Sequence, residues 1–138
     1  MSVMYKTVAR AEPGVVGGGQ TKFYPAIVRG RPIKLRKFAT DITRTSRLAT
    51  SDVYGVLEAF LDNLYAYLEE GRIVQLGDFG TFTPSINSQG VTDPTQVNQS
   101  AILRYKINFR PGPFLRKRLG EVDFEKITNE SGEIEIDN

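Results

Sequence analysis

The chain has 138 residues, 40% of them apolar and 25% charged, with no cysteine and no histidine, a composition expected of one ordinary globular domain. The two missing residue types exclude a disulfide framework, thiolate metal sites and a cysteine nucleophile, and remove the commonest general base and metal ligand. No run of about 18 apolar residues occurs, nor a charged start followed by an apolar stretch and a cleavage site, so the expectation is a soluble, cytoplasmic protein without membrane span or secretory signal.

The formal net charge of +2 hides a segregation along the chain. Residues 1–40 carry eight basic and one acidic residue, 41–82 three and seven, and 83–102 only Asp93. Residues 103–119 carry six basic residues and no acidic one, and 120–138 one and seven. Solvated faces would explain part of this. A basic tract ahead of an acidic tail points further, to a surface that binds a polyanion.

Residues 3–9 and 22–28 are rich in β-branched and aromatic side chains and flank Pro13-Gly14 and Gly17-Gly18-Gly19. They read as a β-hairpin with a mobile loop, Pro25 confining its second strand to an edge or bulge. No Lys-Ser/Thr and no helix start follows the glycines, so they do not form a phosphate loop. Leu35, Phe38, Ala39 and Ile42 then recur at helical spacing and predict a short amphipathic helix over 34–45, with Lys34, Arg36 and Lys37 on its other face. A longer helix follows, with Thr50 or Ser51 as its N-cap and Asp52 in its first turn. Val53, Val56, Leu57, Phe60, Leu61, Leu64 and Leu68 form its apolar stripe, widened by Tyr65 and Tyr67, and Gly71 supplies a left-handed C-terminal cap. The stripe is wide enough to suggest a helix interface between subunits beside an internal core.

From Arg72 the period becomes two, interrupted by a glycine turn or bulge at Gly77-Asp78-Phe79-Gly80. Residues 84–101 are polar and nearly uncharged, which fits either disorder or a projecting functional loop. The next stretch alternates: Leu103, Tyr105, Ile107 and Phe109 face a core, while Arg104, Lys106, Asn108 and Arg110 face outward. Tyr105 and Phe109 alternate with cations as in single-strand binders, yet they fall on the opposite face, which favours packing over base stacking. Pro111-Gly112-Pro113 ends the strand, Phe114–Leu119 reads as a short basic helix, and 122–127 as a last strand placed to pair with the hairpin. Residues 128–138 form an acidic, frayed tail.

Gly-Asp-Phe-Gly-Thr-Phe at 77–82 and Phe-Arg-Pro-Gly at 109–112, preceded by two helices and separated by a long arm, resemble the bacterial HU and integration host factor proteins. The similarity spans about residues 34–119, and the flanking segments resemble longer HU-like variants of Bacteroidetes. The resemblance implies an α+β fold, an intertwined homodimer or heterodimer with a helical base, an antiparallel sheet and a protruding β-arm, here with an added N-terminal β-hairpin. It divides the chain into a hairpin extension (1–33), an HU-like domain (34–119, arm about 83–102) and a C-terminal strand with acidic tail (120–138).

It also implies a sequence-tolerant, histone-like nucleoid protein that bends double-stranded DNA by entering its minor groove. Phe60, Leu64, Phe79 and Phe82 would form the dimer core, and Pro94 would stand near the position of the intercalating arm-tip proline. Arg104, Lys106, Arg110, Arg116, Lys117 and Arg118 would form a basic saddle on the phosphates. No cofactor, metal, membrane or small-molecule substrate is implied. Two features depart from the pattern: the arm lacks Lys and Arg, and Pro113 stands where Lys is usual. The uncharged arm leaves open a second reading, an HU-fold protein-interaction or filament-forming module. An enzyme fits least, since Asp41, Asp52, Asp62 and Asp78 are scattered and form no acid/base couple.

Overall fold

Alternating β-branched and aromatic residues from the two ends of the chain pair with each other, and the helical and arm segments between them form a separate body. The computed structural model describes residues 2–127 and the backbone of the strand at 135–136. It is a mixed α+β structure with three α-helices and two small sheets among the described residues. The chain divides into two compact units, Met1–Pro32 with Gly120–Asn138, and Ile33–Leu119.

In the first unit, β1 (Ser2–Arg10) pairs antiparallel with β2 (Lys22–Ile27), Val8 opposite Tyr24. Pro25 lies on β2, at the edge of the strand order, where a missing N–H costs no ladder bond to a further strand. The connecting loop closes on itself through Glu12 N–H to Gly18 O at 2.8 Å, with Gly14, Gly17, Gly18 and Gly19 all at positive φ. Strand β6 (Asp123–Lys126) runs parallel to β1 on its other side, Val3 opposite Phe124, and β7 (Glu135–Ile136) lies beside Val8 and Ala9. The expected fraying of the acidic tail otherwise falls on residues outside those described.

In the second unit, α1 (Leu35–Thr45) packs on α2 (Thr50–Glu69). The expected cap at Thr50 or Ser51 is not formed. Ala49 is the N-cap and has no side-chain acceptor, its carbonyl taking the Asp52 and Val53 N–H groups at 3.1 Å. The helix therefore begins one residue early, and the Ser46 hydroxyl instead accepts from Leu48 N–H within the preceding turn, at 3.4 Å. At the other end Gly71 takes φ +78°, and Gly71 and Arg72 donate back to Leu68 and Tyr67. This left-handed cap satisfies carbonyls that a helix end leaves open.

Strands β3 (Val74–Gln75), β4 (Gly80–Ser88) and β5 (Ile102–Pro111) form the second sheet in that order, all antiparallel. Beyond β3 the sheet is a two-stranded ribbon. The stretch 84–101 is thus only in part a loop: its first five residues continue β4, with Pro84 opposite Ile107, and the remainder holds two 3-10 turns, Pro94–Gln96 and Gln99–Ala101. Pro84 fits there because β3 covers only Thr81 and Phe82, which leaves the outer edge of the ribbon free. Pro113 opens α3 (Pro113–Gly120) at the first helical position, where its missing N–H is no loss.

The core differs from expectation. Among the described residues the buried hydrophobic side chains are Val8, Ala39 and Val53. Leu103, Tyr105, Ile107 and Phe109 do share one face of β5, but they remain 62%, 47%, 38% and 42% exposed. Val56 and Phe60 on α2 are 67% and 46% exposed. The periodicity identified apolar faces correctly; the described residues leave them uncovered.

Candidate nucleic-acid interface

The two glycine motifs, remote in sequence, meet at the base of the ribbon. Gly112 N–H donates to Phe79 O at 2.8 Å, and Gly80 pairs with Pro111. A Cβ on Gly112 would stand 2.6 Å from the Asp78 carbonyl carbon, and one on Gly80 2.6 Å from Arg110 O and against the Phe109 ring. Both glycines are therefore required by close backbone approach. Around them Phe109 packs against Phe79 and Phe82, with ring centroids 5.1 and 4.9 Å apart and tilted planes. This aromatic clasp ties β4 and β5 together at the base of the ribbon.

From that base the register sorts the ribbon into two unlike faces. Arg110, Asn108, Lys106 and Arg104 on β5 stand opposite Thr81, Thr83, Ser85 and Asn87 on β4. Directly paired residues share a face, so this surface holds three cations, two amides and three hydroxyls without a carboxylate. Asn108 Nδ2 donates to Ser85 Oγ at 3.1 Å, linking the strands across it. From Arg104 to Arg110 the row runs about 20 Å, or about six base steps of duplex DNA. The opposite face is formed by Phe82, Pro84 and Ile86 with Phe109, Ile107 and Tyr105.

Among the described residues, the ion pairs join Lys22 to Glu12, Lys37 and Arg44 to Asp41, and Arg72 to Glu70. None engages Arg104, Lys106 or Arg110, whose charges are thus uncompensated by the chain's described carboxylates. The structure brings these three together but does not gather Arg116, Lys117 and Arg118 beside one another on a single face. They are consecutive on α3, and consecutive helical residues point in different directions. The Arg118 guanidinium lies over the Phe114 ring, 5.9 Å from its centroid.

Pro94 lies in the loop at the far end of the ribbon, as the first residue of a 3-10 turn. Asp93 precedes it and accepts from Thr95 N–H at 3.0 Å. Thr95 backbone and side-chain donors together hold the Asp93 carboxyl below its ordinary value, since they favour the charged form. Asn98 caps the second turn in the same way, accepting from Ser100 N–H at 2.9 Å. Of the four aromatic and aliphatic positions assigned above to a dimer core, Phe79 is 50% and Phe60 46% exposed, while Leu64 and Phe82 are half-buried.

Sequence reasoning missed the β4 half of the polar face. Its signal was present in Thr81-Phe82-Thr83-Pro84-Ser85-Ile86-Asn87, which alternates without a break. Pro84 concealed it, because a proline ordinarily argues against a strand.

No curated protein matches the chain. Among solved structures, a candidate bacterial DNA-binding protein from Bacteroides vulgatus superposes with a TM-score of 0.61 at 10% identity, over 90% of this chain and 48% of that one. The chain thus spans about half the length of that structure, and at this identity the likeness is one of fold. A family model described as an HU domain fused to wHTH, Ig or glycine-rich motif matches residues 1–126. The interlocked glycine motifs, the two-helix body and the ribbon are the parts on which the HU resemblance rested, and with nearly the whole chain matched, this protein belongs to the HU-HIG family of HU domains.

Proposed function

We propose that this chain binds double-stranded DNA without reading its base sequence, as a non-enzymatic, histone-like architectural protein of the bacterial nucleoid that works as a homodimer. The observation that carries the reading is the ribbon's polar face, where Arg104, Lys106 and Arg110 stand in one row beside Thr81, Thr83, Ser85 and Asn87 with no carboxylate among them. Arg, Lys, Ser, Thr and Asn are the side chains that contact phosphates and fix a protein's position on a duplex. A row of cations on one face gains affinity for DNA by releasing counterions. Arg116, Lys117 and Arg118 on α3 would add further phosphate contacts.

The apolar surface supports the dimer. With Val56, Phe60, Phe79 and Phe109 all more than two-fifths exposed, the helical unit leaves the surface that would stabilise it in water, and a second copy offers a self-complementary cover through two-fold symmetry. Phe60, Leu64, Phe79 and Phe82 would then lie between subunits. Pro94 would reach the DNA at the ribbon tip.

Titrating a duplex of about 30 base pairs with the chain across salt concentrations tests the reading. Binding should weaken steeply with salt, and changing Arg110 and Arg116 to Ala should cut affinity and flatten the salt dependence. Undiminished binding by that double variant would remove the saddle assignment. A second reading, a protein-interaction or filament-forming module, draws on the lack of any cation in residues 83–102. Light scattering separates the two, since polymerisation that is indifferent to added DNA supports the filament.

A further inference from the structure

The segment after β2, Arg29-Gly30-Arg31-Pro32, takes no part in any helix or strand, and all four residues are exposed. We propose that it is a second DNA contact, one that enters the minor groove and favours A·T-rich duplex. The proposal extends the DNA reading above and rests on it.

Backbone geometry comes first. Pro32 biases Arg31 toward extended conformation, and in an extended chain side chains two residues apart project to the same side, about 6.6 to 7 Å from each other. Two base steps span about the same distance. Arg29 and Arg31 are therefore spaced to enter one groove together, as paired arginines do in the flexible arms of other DNA-binding folds.

Gly30 shares open space and an ordinary φ with Gly55, Gly90 and Gly120, but it alone of the glycines lies between two arginines. It is not among the glycines at positive φ, and a Cβ built on it would meet nothing within 4 Å. Neither conformation nor packing within the chain calls for glycine there, in contrast to Gly80 and Gly112. A residue without a side chain between two arginines allows the backbone to lie flush against an external surface.

The electrostatics agree. Residues 13–40 hold six cations and no carboxylate, and neither Arg29 nor Arg31 takes part in an ion pair or ring contact among the described residues. A guanidinium offers donors and no acceptor. The floor of an A·T minor groove offers acceptors alone, whereas guanine adds an N2 amino donor that would oppose it. A·T tracts also narrow the groove and deepen its negative potential. Contact with phosphates alone would be indifferent to base composition.

Anisotropy titrations of the full chain with three duplexes of about 20 base pairs test this: one A·T-rich, one G·C-rich, and one G·C-rich with inosine for guanine. Inosine removes the N2 amino group and leaves the major-groove edge intact. The A·T and inosine duplexes should bind about tenfold more tightly than the G·C duplex, within the range of a good base contact. Arg29→Lys with Arg31→Lys keeps the charge and should abolish the preference. Arg104→Ala with Arg110→Ala should weaken all three duplexes and preserve their ratio. Equal wild-type affinities, a preference that survives the double lysine variant, or an inosine duplex that behaves like G·C would each overturn the minor-groove contact while leaving the DNA role standing. Failure of the wild type to bind any duplex would overturn the DNA role and this contact together.

Discussion

The Tyr105 hydroxyl donates a hydrogen bond to the Leu68 carbonyl, joining the middle of the ribbon to the last turn of α2 across 37 residues of sequence. A carbonyl has two lone pairs, and Leu68 O, which already takes the Gly71 N–H, uses its second to fix the ribbon on the helical body. Tyr105→Phe removes the hydroxyl and keeps the ring. It should cost about 1 kcal/mol and lower the melting temperature by several degrees, with DNA affinity unchanged at 25 °C. Thermal unfolding beside a single-temperature titration checks both parts.

The interlocked glycines predict a sharper loss. Gly80→Ala and Gly112→Ala each place a methyl group where backbone already stands, and overpacking of this kind costs about 1–3 kcal/mol or more. Gly90→Ala, in open space, should stay within about 0.5 kcal/mol of wild type. Urea midpoints for the three variants decide it. Equal midpoints would mean that the two motifs do not need to touch.

On the ribbon, charged and neutral members of the polar face should leave different signatures. Changing Arg104, Lys106 and Arg110 to Ala should reduce the slope of log affinity against log salt by about 0.9 per lost phosphate contact. Thr83→Val and Ser85→Ala remove neutral hydrogen-bonding groups, so they should weaken binding and leave the slope alone. A slope change with the hydroxyl variants would argue that the row is not directly against phosphates.

The exposed stripe of α2 predicts that assembly and stability are one property. Phe60→Asp should yield a monomeric, largely unfolded chain in light scattering. The wild-type melting temperature should rise with protein concentration, as it does for dimers that lack a stable monomer. A melting temperature independent of concentration would count against the dimer.

Acid should loosen the ribbon tip. Asp93 has its carboxyl held below the ordinary value of 3.8 by the Thr95 donors. Its cap contribution is therefore fully present above that value and is lost as pH falls through the lower folded one. Asp93→Asn keeps an acceptor without a charge, so the Thr95 amide shift should titrate at acid pH in the wild type and not in the variant.

How far the fold could be read in advance depended on whether a signal was local. The stripe from Val53 to Leu68 and the cap at Gly71 follow from helical periodicity and the conformational freedom of glycine, and both elements form. The role of Gly112 could not be read locally, because what forbids a side chain there is Asp78, brought near by the β4–β5 pairing. Ala49 displaced Thr50 as the cap because the choice lay in one residue of helix register. The polar row was half legible: Arg104, Lys106 and Arg110 alternate openly, whereas Thr83, Ser85 and Asn87 acquired meaning only when the register set them opposite. Burial was misjudged for a different reason. Periodicity reports which face is apolar and carries no information about which molecule covers it.

Among the described residues, Val8 in the first unit and Ala39 and Val53 in the second are the only buried apolar side chains, a very thin interior for each. If the missing cover is a second copy, abundance becomes a structural variable. Where most chains are single, the amount of paired form varies nearly as the square of total chain, so halving synthesis would remove more than half of the assembled form. Surplus single chains, with Val56 and Phe109 uncovered, would be substrates for proteolysis.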